Sequence, residues 1–268
     1  MSNDMASTTR AVSVRNLAVH RGDRLALTDI DIDLCPGETL AILGANGSGK
    51  STLLQAITGL VSISSGSVDC HRRSTALVLQ ATDVDRSLPI SVREAVRLAR
   101  YANLGLFRRF SQADFEAVDH AMARMAVGHL AERQLHELSG GQRQRVLVAQ
   151  GLAQQADILL LDEPASGLDA ESRQLILDAI AEEREAARTV VMATHSLDDA
   201  RRCDRVLLLA TRAIAFGSPS EVIQDSVLDM KMLDMKMLDI DAFDVCRPSD
   251  LEILDPPVGR FVRRPTRG

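Results

Sequence analysis

The amino-acid sequence predicts an α/β fold built on a mainly parallel sheet with helices on both faces. Short apolar runs at Thr39 to Leu43, Ile158 to Leu161, Thr189 to Thr194 and Val206 to Leu209 read as strands buried on both sides. Helical patterns alternate with them: Leu53, Leu54 and Ile57 share one helix face, and Leu175, Ile176, Ala179 and Ile180 share another. Parallel neighbours need such crossover helices, which then cover the sheet.

From the N-terminus, Ile30, Ile32 and Leu34 alternate with Asp29, Asp31 and Asp33, the period of a half-buried strand, before Pro36-Gly37 turns the chain. The first forty residues are therefore strand-rich. Between about residues 81 and 155 the pattern becomes helical. Two of these helices open on capping boxes, Ser91 to Glu94 and Ser111 to Asp114, and the stretch reads as an inserted helical subdomain. Ser218-Pro219-Ser220-Glu221 starts a last helix, because it supplies an N-cap, a proline at the first helical position and a capping glutamate. The compact domain is expected over 11–222. A tail follows over 223–268, with a near-repeat of LDMKM at 228–241 and several prolines, and is expected to be partly disordered. The methionines at 230, 232, 235 and 237 read as one face of an amphipathic segment and are assigned no site.

Composition excludes several classes of function. A formal charge of −6, with no sustained basic stripe, argues against a chain that neutralises many phosphates along a duplex, so no nucleic-acid partner is expected. No run approaches the roughly 18 to 20 apolar residues that span a bilayer. The first ten residues resemble neither a secretory signal nor a transit peptide. Cys35, Cys70, Cys203 and Cys246 are scattered, without metal-ligand spacing, and read as reduced thiols.

The chemistry is carried by a few motifs. Gly44-Ala45-Asn46-Gly47-Ser48-Gly49-Lys50-Ser51-Thr52 is a complete G-x-x-x-x-G-K-S/T loop between an apolar strand and a helix. Its glycines let backbone N–H groups wrap a polyphosphate at the positive end of the helix. Lys50 would reach the β and γ phosphates of ATP, and Ser51 would ligate Mg²⁺. Asp162 and Glu163 end the apolar strand beginning at Ile158. There Asp162 can hold a Mg²⁺-bound water, while Glu163, turned away by the alternation of side chains, can polarise the attacking water.

With Leu138-Ser139-Gly140-Gly141-Gln142 between those two motifs, residues 11–222 resemble the ABC ATPase family. The resemblance implies a P-loop, RecA-like core with an N-terminal antiparallel β subdomain and the helical insert. It implies that Ser139, Gly140, Gly141 and Gln142 of one copy contact the γ-phosphate bound by a second, head-to-tail copy. It further implies that Gln80 senses Mg²⁺ and water, that Asp169 in Ser166-Gly167-Leu168-Asp169 crosses the dimer interface, and that His195 bonds the γ-phosphate. Where the family usually places an aromatic residue on adenine, just before the glycine of the first hairpin, this sequence has Arg21, preceded by His20. A guanidinium or imidazole plane can still stack on a base.

Within the family, Gln80 to Asp85, Leu88 to Glu94, and Tyr101 to Arg109 together with Ser111 to Asp114 resemble the ATPases of zinc and manganese importers, and Gln150 to Gln154 those of zinc importers. This implies the ATPase subunit of a zinc importer, with manganese, iron or another cargo, or a non-transport ATPase of the iron-sulfur assembly type, as alternatives. The implied partners are a polytopic membrane permease, an extracytoplasmic metal-binding protein and a second copy of the chain. The implied location is the cytoplasmic face of the cell membrane.

Overall fold

The computed structural model describes residues 10–71, 73–80, 89–104 and 109–223. Among these residues nine strands form two sheets. β1 (Val12–Arg21), β2 (Arg24–Leu34) and β4 (Ser65–Asp69) make an antiparallel sheet in the order β2-β1-β4. The second sheet has the order β5-β6-β7-β3-β8-β9. Its strands are β3 (Thr39–Leu43), β5 (Thr75–Val78), β6 (Ile158–Asp162), β7 (Thr189–Thr194), β8 (Arg205–Ala210) and β9 (Arg212–Gly217). All its pairs are parallel except the hairpin β8-β9.

The core follows from the two-residue period of the pleat. On β3, β6, β7 and β8, Leu43, Leu161, Met192 and Leu208 enter one apolar cluster, while Ile42, Leu160, Val191 and Leu207 enter the other. The first cluster is closed by α2 (Val92–Leu104), α3 (Gln112–Arg124), α4 (Gly140–Gln154) and α5 (Ala170–Glu185). The second is closed by α1 (Lys50–Ile57) and the antiparallel sheet. Two short helices, α6 (Leu197–Ala200) and α7 (Pro219–Val222), complete the described fold. The last begins where the sequence places it, with Ser218 and Glu221 capping each other's backbone.

Two strands carry little sequence signal. β4 reads SGSVD and is exposed along most of its length, and β9 is half-buried. Each lies at a sheet edge, so neither needs a continuous apolar run. The cysteines are free: Cys35 is exposed, Cys70 half-buried and Cys203 buried, with burial raising the Cys203 thiol to about 12. Cys246, residues 81–88, residues 105–108 and the LDMKM segment lie outside the described residues.

Between β5 and β6, both expected capping boxes are present. Ser91 N and Oγ donate to Glu94 Oε2 at 2.9 and 2.6 Å, and Ser111 does the same to Asp114 Oδ2 at 2.8 and 2.6 Å. Asp114 also accepts from Arg100 of α2, Nε at 2.9 Å and Nη2 at 2.7 Å. Arg100 in turn donates to the Ala153 carbonyl of α4 at 3.0 Å, so one guanidinium joins three helices. The Ser111 hydroxyl and N–H, then Arg100, hold the Asp114 carboxyl down at about 2.

A carboxyl depressed in the folded state stabilises above its unfolded value of about 3.9 and loses that contribution as pH falls toward about 2. The difference in unfolding free energy between wild type and Asp114→Asn, from urea melts, should therefore shrink from about pH 4 to about pH 2. A difference that stays flat across that window would show the box to be uncoupled from folding.

Candidate functional site

Four neighbouring parallel strands deliver the predicted residues to one edge of the sheet. In the order β5-β6-β7-β3, their C-terminal ends lead to Gln80, to Asp162 and Glu163, to His195, and to the loop 44–52. Ligands of open α/β sheets bind at this end because the strands stop there and the loops gather. Together these residues, Ser48 excepted, line a cavity of about 880 Å³, joined by Arg21, Arg24, Ala26 and Ser166.

The phosphate loop is held in shape from three sides. Ser48 N donates to the Ala45 carbonyl at 3.1 Å, closing a turn, and Thr211 N at the β8-β9 turn donates to the Ser48 carbonyl at 2.8 Å. Thr28 N of β2 donates to the Thr211 carbonyl at 2.8 Å, linking the loop to the antiparallel sheet. Gly49 has φ +104°, and a β-carbon there would lie 2.6 Å from Leu27 Cδ2 and 2.8 Å from the Ala26 carbonyl. At Gly44 it would meet the Leu209 carbonyl and Ser48 Oγ, both at 2.4 Å. Only glycine satisfies both the dihedral and the close approach at Gly49.

Lys50 is 5% exposed. Its ammonium donates to the carbonyls of Gly44 at 2.8 Å and Ala45 at 3.2 Å, and lies 3.4 Å from Glu163 Oε1. The other oxygen of Glu163 is 3.5 Å from His195 Nδ1. Thus the phosphate-loop lysine, the second carboxylate and the histidine form one row.

β6 ends at Asp162, and Glu163 adopts φ +46° with its N–H donating to the Ala193 carbonyl at 3.1 Å. The two carboxylates therefore separate through a left-handed turn, which corrects the expectation that strand alternation separates them. A non-glycine residue in that region costs of order 1–3 kcal/mol.

Ser51, Gln80 and Asp162 offer hydroxyl, amide and carboxylate oxygens to the same cavity. That set of hard oxygen donors fits Mg²⁺, which prefers few protein ligands alongside water and phosphate oxygens.

Ser139, Gly140, Gly141, Gln142 and Asp169 are not among the residues lining this cavity. They gather at another place. Ser139 caps α4, its hydroxyl accepting from Gln142 N at 3.2 Å while Gln142 Oε1 accepts from Ser139 N at 3.1 Å. Asp169 caps α5 by accepting from the N–H and hydroxyl of Ser172 at 2.8 and 3.0 Å, and these bonds lower its carboxyl pKa. Its carboxylate packs against Gly141, where a β-carbon would lie 3.6 Å from Asp169 Oδ2. Ser139, Gly140 and Asp169 are exposed.

Sequence reasoning missed Arg24, Ala26 and Ser166 as cavity residues. The signal for Arg24 was available, since it pairs with Arg21 across the Gly22-Asp23 turn and so shares its face.

A nucleotide-wrapping loop after one parallel strand, with paired carboxylates two strands away, defines a P-loop nucleoside triphosphatase. The chain belongs to the ABC transporter family, whose model matches residues 27–166. It is 37% identical to the manganese transport system ATP-binding protein MntB of Bacillus subtilis over 219 residues, covering 79% of this chain and 88% of that one. It is 36% identical to the zinc transport system ATP-binding protein TroB of Treponema pallidum, covering 80% and 84%. A chain of an ABC transporter in an inward-facing conformation superposes with a TM-score of 0.73 at 30% identity, covering 82% and 87%.

The phosphate loop generates a direct prediction. Gly49→Ala should lower stability by about 1–3 kcal/mol in urea melts. In isothermal titration it should weaken ATP binding by at least about 100-fold, because the Leu27 contact forces the loop open. Unchanged ATP affinity would show that the loop tolerates another backbone course.

Proposed function

We propose that this chain is the ATP-hydrolysing subunit of an importer for a divalent metal cation, working as a head-to-tail pair on the cytoplasmic side of a polytopic permease. The observation that supports it best is the division of the predicted residues into two places. Lys50, Asp162, Glu163 and His195 share a cavity, while Ser139 and Gly141 begin a helix elsewhere on the surface. A single copy therefore presents two unlike half-sites.

The second half-site has the right chemistry for an anion. The Ser139 hydroxyl accepts from Gln142 N, which leaves its own O–H to donate. The N–H groups of Gly140 and Gly141 are first-turn donors with no partner inside the helix, and the dipole of α4 adds to them. A γ-phosphate held by Lys50 of one copy can receive all of these from another. Closing the pair would move the permease, and hydrolysis would release it. Asp169, packed beside Gly141, is placed to cross between the copies.

In the reaction, water attacks the γ-phosphorus, its proton passes to the Glu163 carboxylate, and the bond to the β-phosphate oxygen breaks to give ADP and inorganic phosphate. His195 orients the Glu163 carboxylate and donates to a γ-phosphate oxygen. Lys50 compensates charge on the β and γ phosphates, and Gln80 orders the water. Mg²⁺ bound by Ser51, Asp162 and Gln80 would supply further charge compensation on the phosphate oxygens.

Both manganese and zinc transport proteins are similar to this chain, so zinc rests on the sequence segments named above. An extracytoplasmic metal-binding protein would complete the system. Among the described residues no helix is long and apolar enough to cross a membrane, which fits a subunit that works through a separate permease.

Uptake of labelled zinc and manganese in the native host, with the intact gene or a Lys50→Ala allele, tests both levels. Selective loss of zinc uptake is the expected result, and selective loss of manganese uptake would reassign the cargo. Glu163→Gln should accumulate an ATP-bound dimer in size-exclusion chromatography. Failure to do so, with Lys50→Ala binding ATP normally, would sink the mechanism.

A further inference from the structure

His195 stands on a short bridge between two elements, the end of β7 at Thr194 and the N-cap of α6 at Ser196. Its side chain is 55% exposed, so packing in the core does not aim the ring at Glu163. The backbone on either side has to do so. Thr194 is fixed as the last residue of β7, in register with Leu43 of β3. Ser196 N donates to Thr194 Oγ1 at 3.0 Å, closing a tight turn around the histidine.

The support on the far side of the turn is weak in itself. α6 has four residues, far short of the length at which a helix holds its own shape. Its anchor comes from α5, a 16-residue helix with Ile176, Leu177 and Ile180 in the core. One turn beyond the Asp169 cap of α5, Arg173 reaches across. Its Nη2 donates to Ser196 Oγ at 3.0 Å and to Asp199 Oδ1 at 2.5 Å, and its Nε donates to the same carboxylate oxygen at 3.2 Å. The Asp199 carboxylate is 4% exposed, so it requires a cation beside it, and Arg173 supplies one. A single guanidinium thus grips both the N-cap of α6 and its third residue.

We propose that Arg173 is a positioning residue for hydrolysis: it holds the turn that carries His195, and so fixes the imidazole against Glu163. The inference rests on the role given to His195 above. Arg173 does not line the nucleotide cavity, so its effect reaches the reaction only through that turn. The planar fork suits the task because it spans two acceptors at once, whereas a lysine would bring the charge without the fork.

The test measures steady-state Mg²⁺-ATP hydrolysis by the full chain, and ATP binding by isothermal titration in EDTA buffer, for wild type, Arg173→Ala, Arg173→Lys, His195→Ala and the double variant Arg173→Ala with His195→Ala. Arg173→Ala should lower kcat by about tenfold while KM and the ATP Kd stay within about twofold, because a misplaced group costs rate rather than binding. Arg173→Lys should recover to within about threefold of wild type. His195→Ala should lose about 100-fold. The double variant should be no more than about twofold slower than His195→Ala, since nothing is left for Arg173 to position. Arg173→Ala leaves a buried carboxylate unpaired, so Arg173→Met combined with Asp199→Asn, which removes both charges, should show the same loss of kcat with a urea midpoint near that of wild type.

A wild-type kcat in Arg173→Ala, or in the pair without charges, would overturn the proposal. So would losses that multiply in the double variant, or a weakened ATP Kd, either of which would show Arg173 acting elsewhere than through His195. His195→Ala turning over at the wild-type rate would sink the role of the histidine itself and the inference with it, a result distinct from a slow His195→Ala beside a normal Arg173→Ala.

Discussion

Lys50 places an ammonium where the residue is 5% exposed, and three oxygens take up its charge: the carbonyls of Gly44 and Ala45 and the carboxylate of Glu163. An ammonium taken out of water without partners would be strongly destabilising, so this position constrains everything around it. The loop must curl until two of its own carbonyls face the lysine. Curling requires the φ of +104° at Gly49, and packing the curl requires Leu27 and Ala26 to pass directly beneath it. The antiparallel sheet is thus part of the phosphate site, joined to it by the Thr28-Thr211-Ser48 chain of backbone bonds.

The same constraint fixes where the acids stand. Glu163 reaches Lys50 because β6 lies two strands from β3, with β7 between them. His195 reaches Glu163 because it follows that intervening strand. The order of strands in the sheet, rather than distance in sequence, assembles the row. Parallel pairing brings every C-terminal end to one edge, so each strand needs to contribute only one or two side chains.

The parts of this design legible in sequence are those carried by local rules. β3, β6, β7 and β8 are apolar on both faces and stand out as continuous runs, and the capping boxes at Ser91, Ser111 and Ser218 mark their helices within the residues themselves. β4 was illegible because SGSVD sits at an edge with only Val68 half-buried. Ser166 was illegible as a cavity residue because its placement depends on a turn after Glu163, which has no periodic signature. The left-handed turn at Glu163 was illegible for the same reason, since a positive φ there replaces the alternation of the pleat.

Several features that disfavour the folded chain lie in the cavity. Glu163 sits in a left-handed conformation, Lys50 is buried, and Arg21 and Arg24 set like charges directly opposite each other on a hairpin. The two arginines, with Lys50, outnumber Asp162 and Glu163 among the charged lining residues. A bound polyphosphate would answer this excess charge, with its phosphates meeting Lys50. Ligand that binds only the folded form adds its binding free energy to stability, and it does so through the residues that cost the fold most without it. The cavity is therefore shaped as much by what the fold must tolerate there as by what the ligand gains.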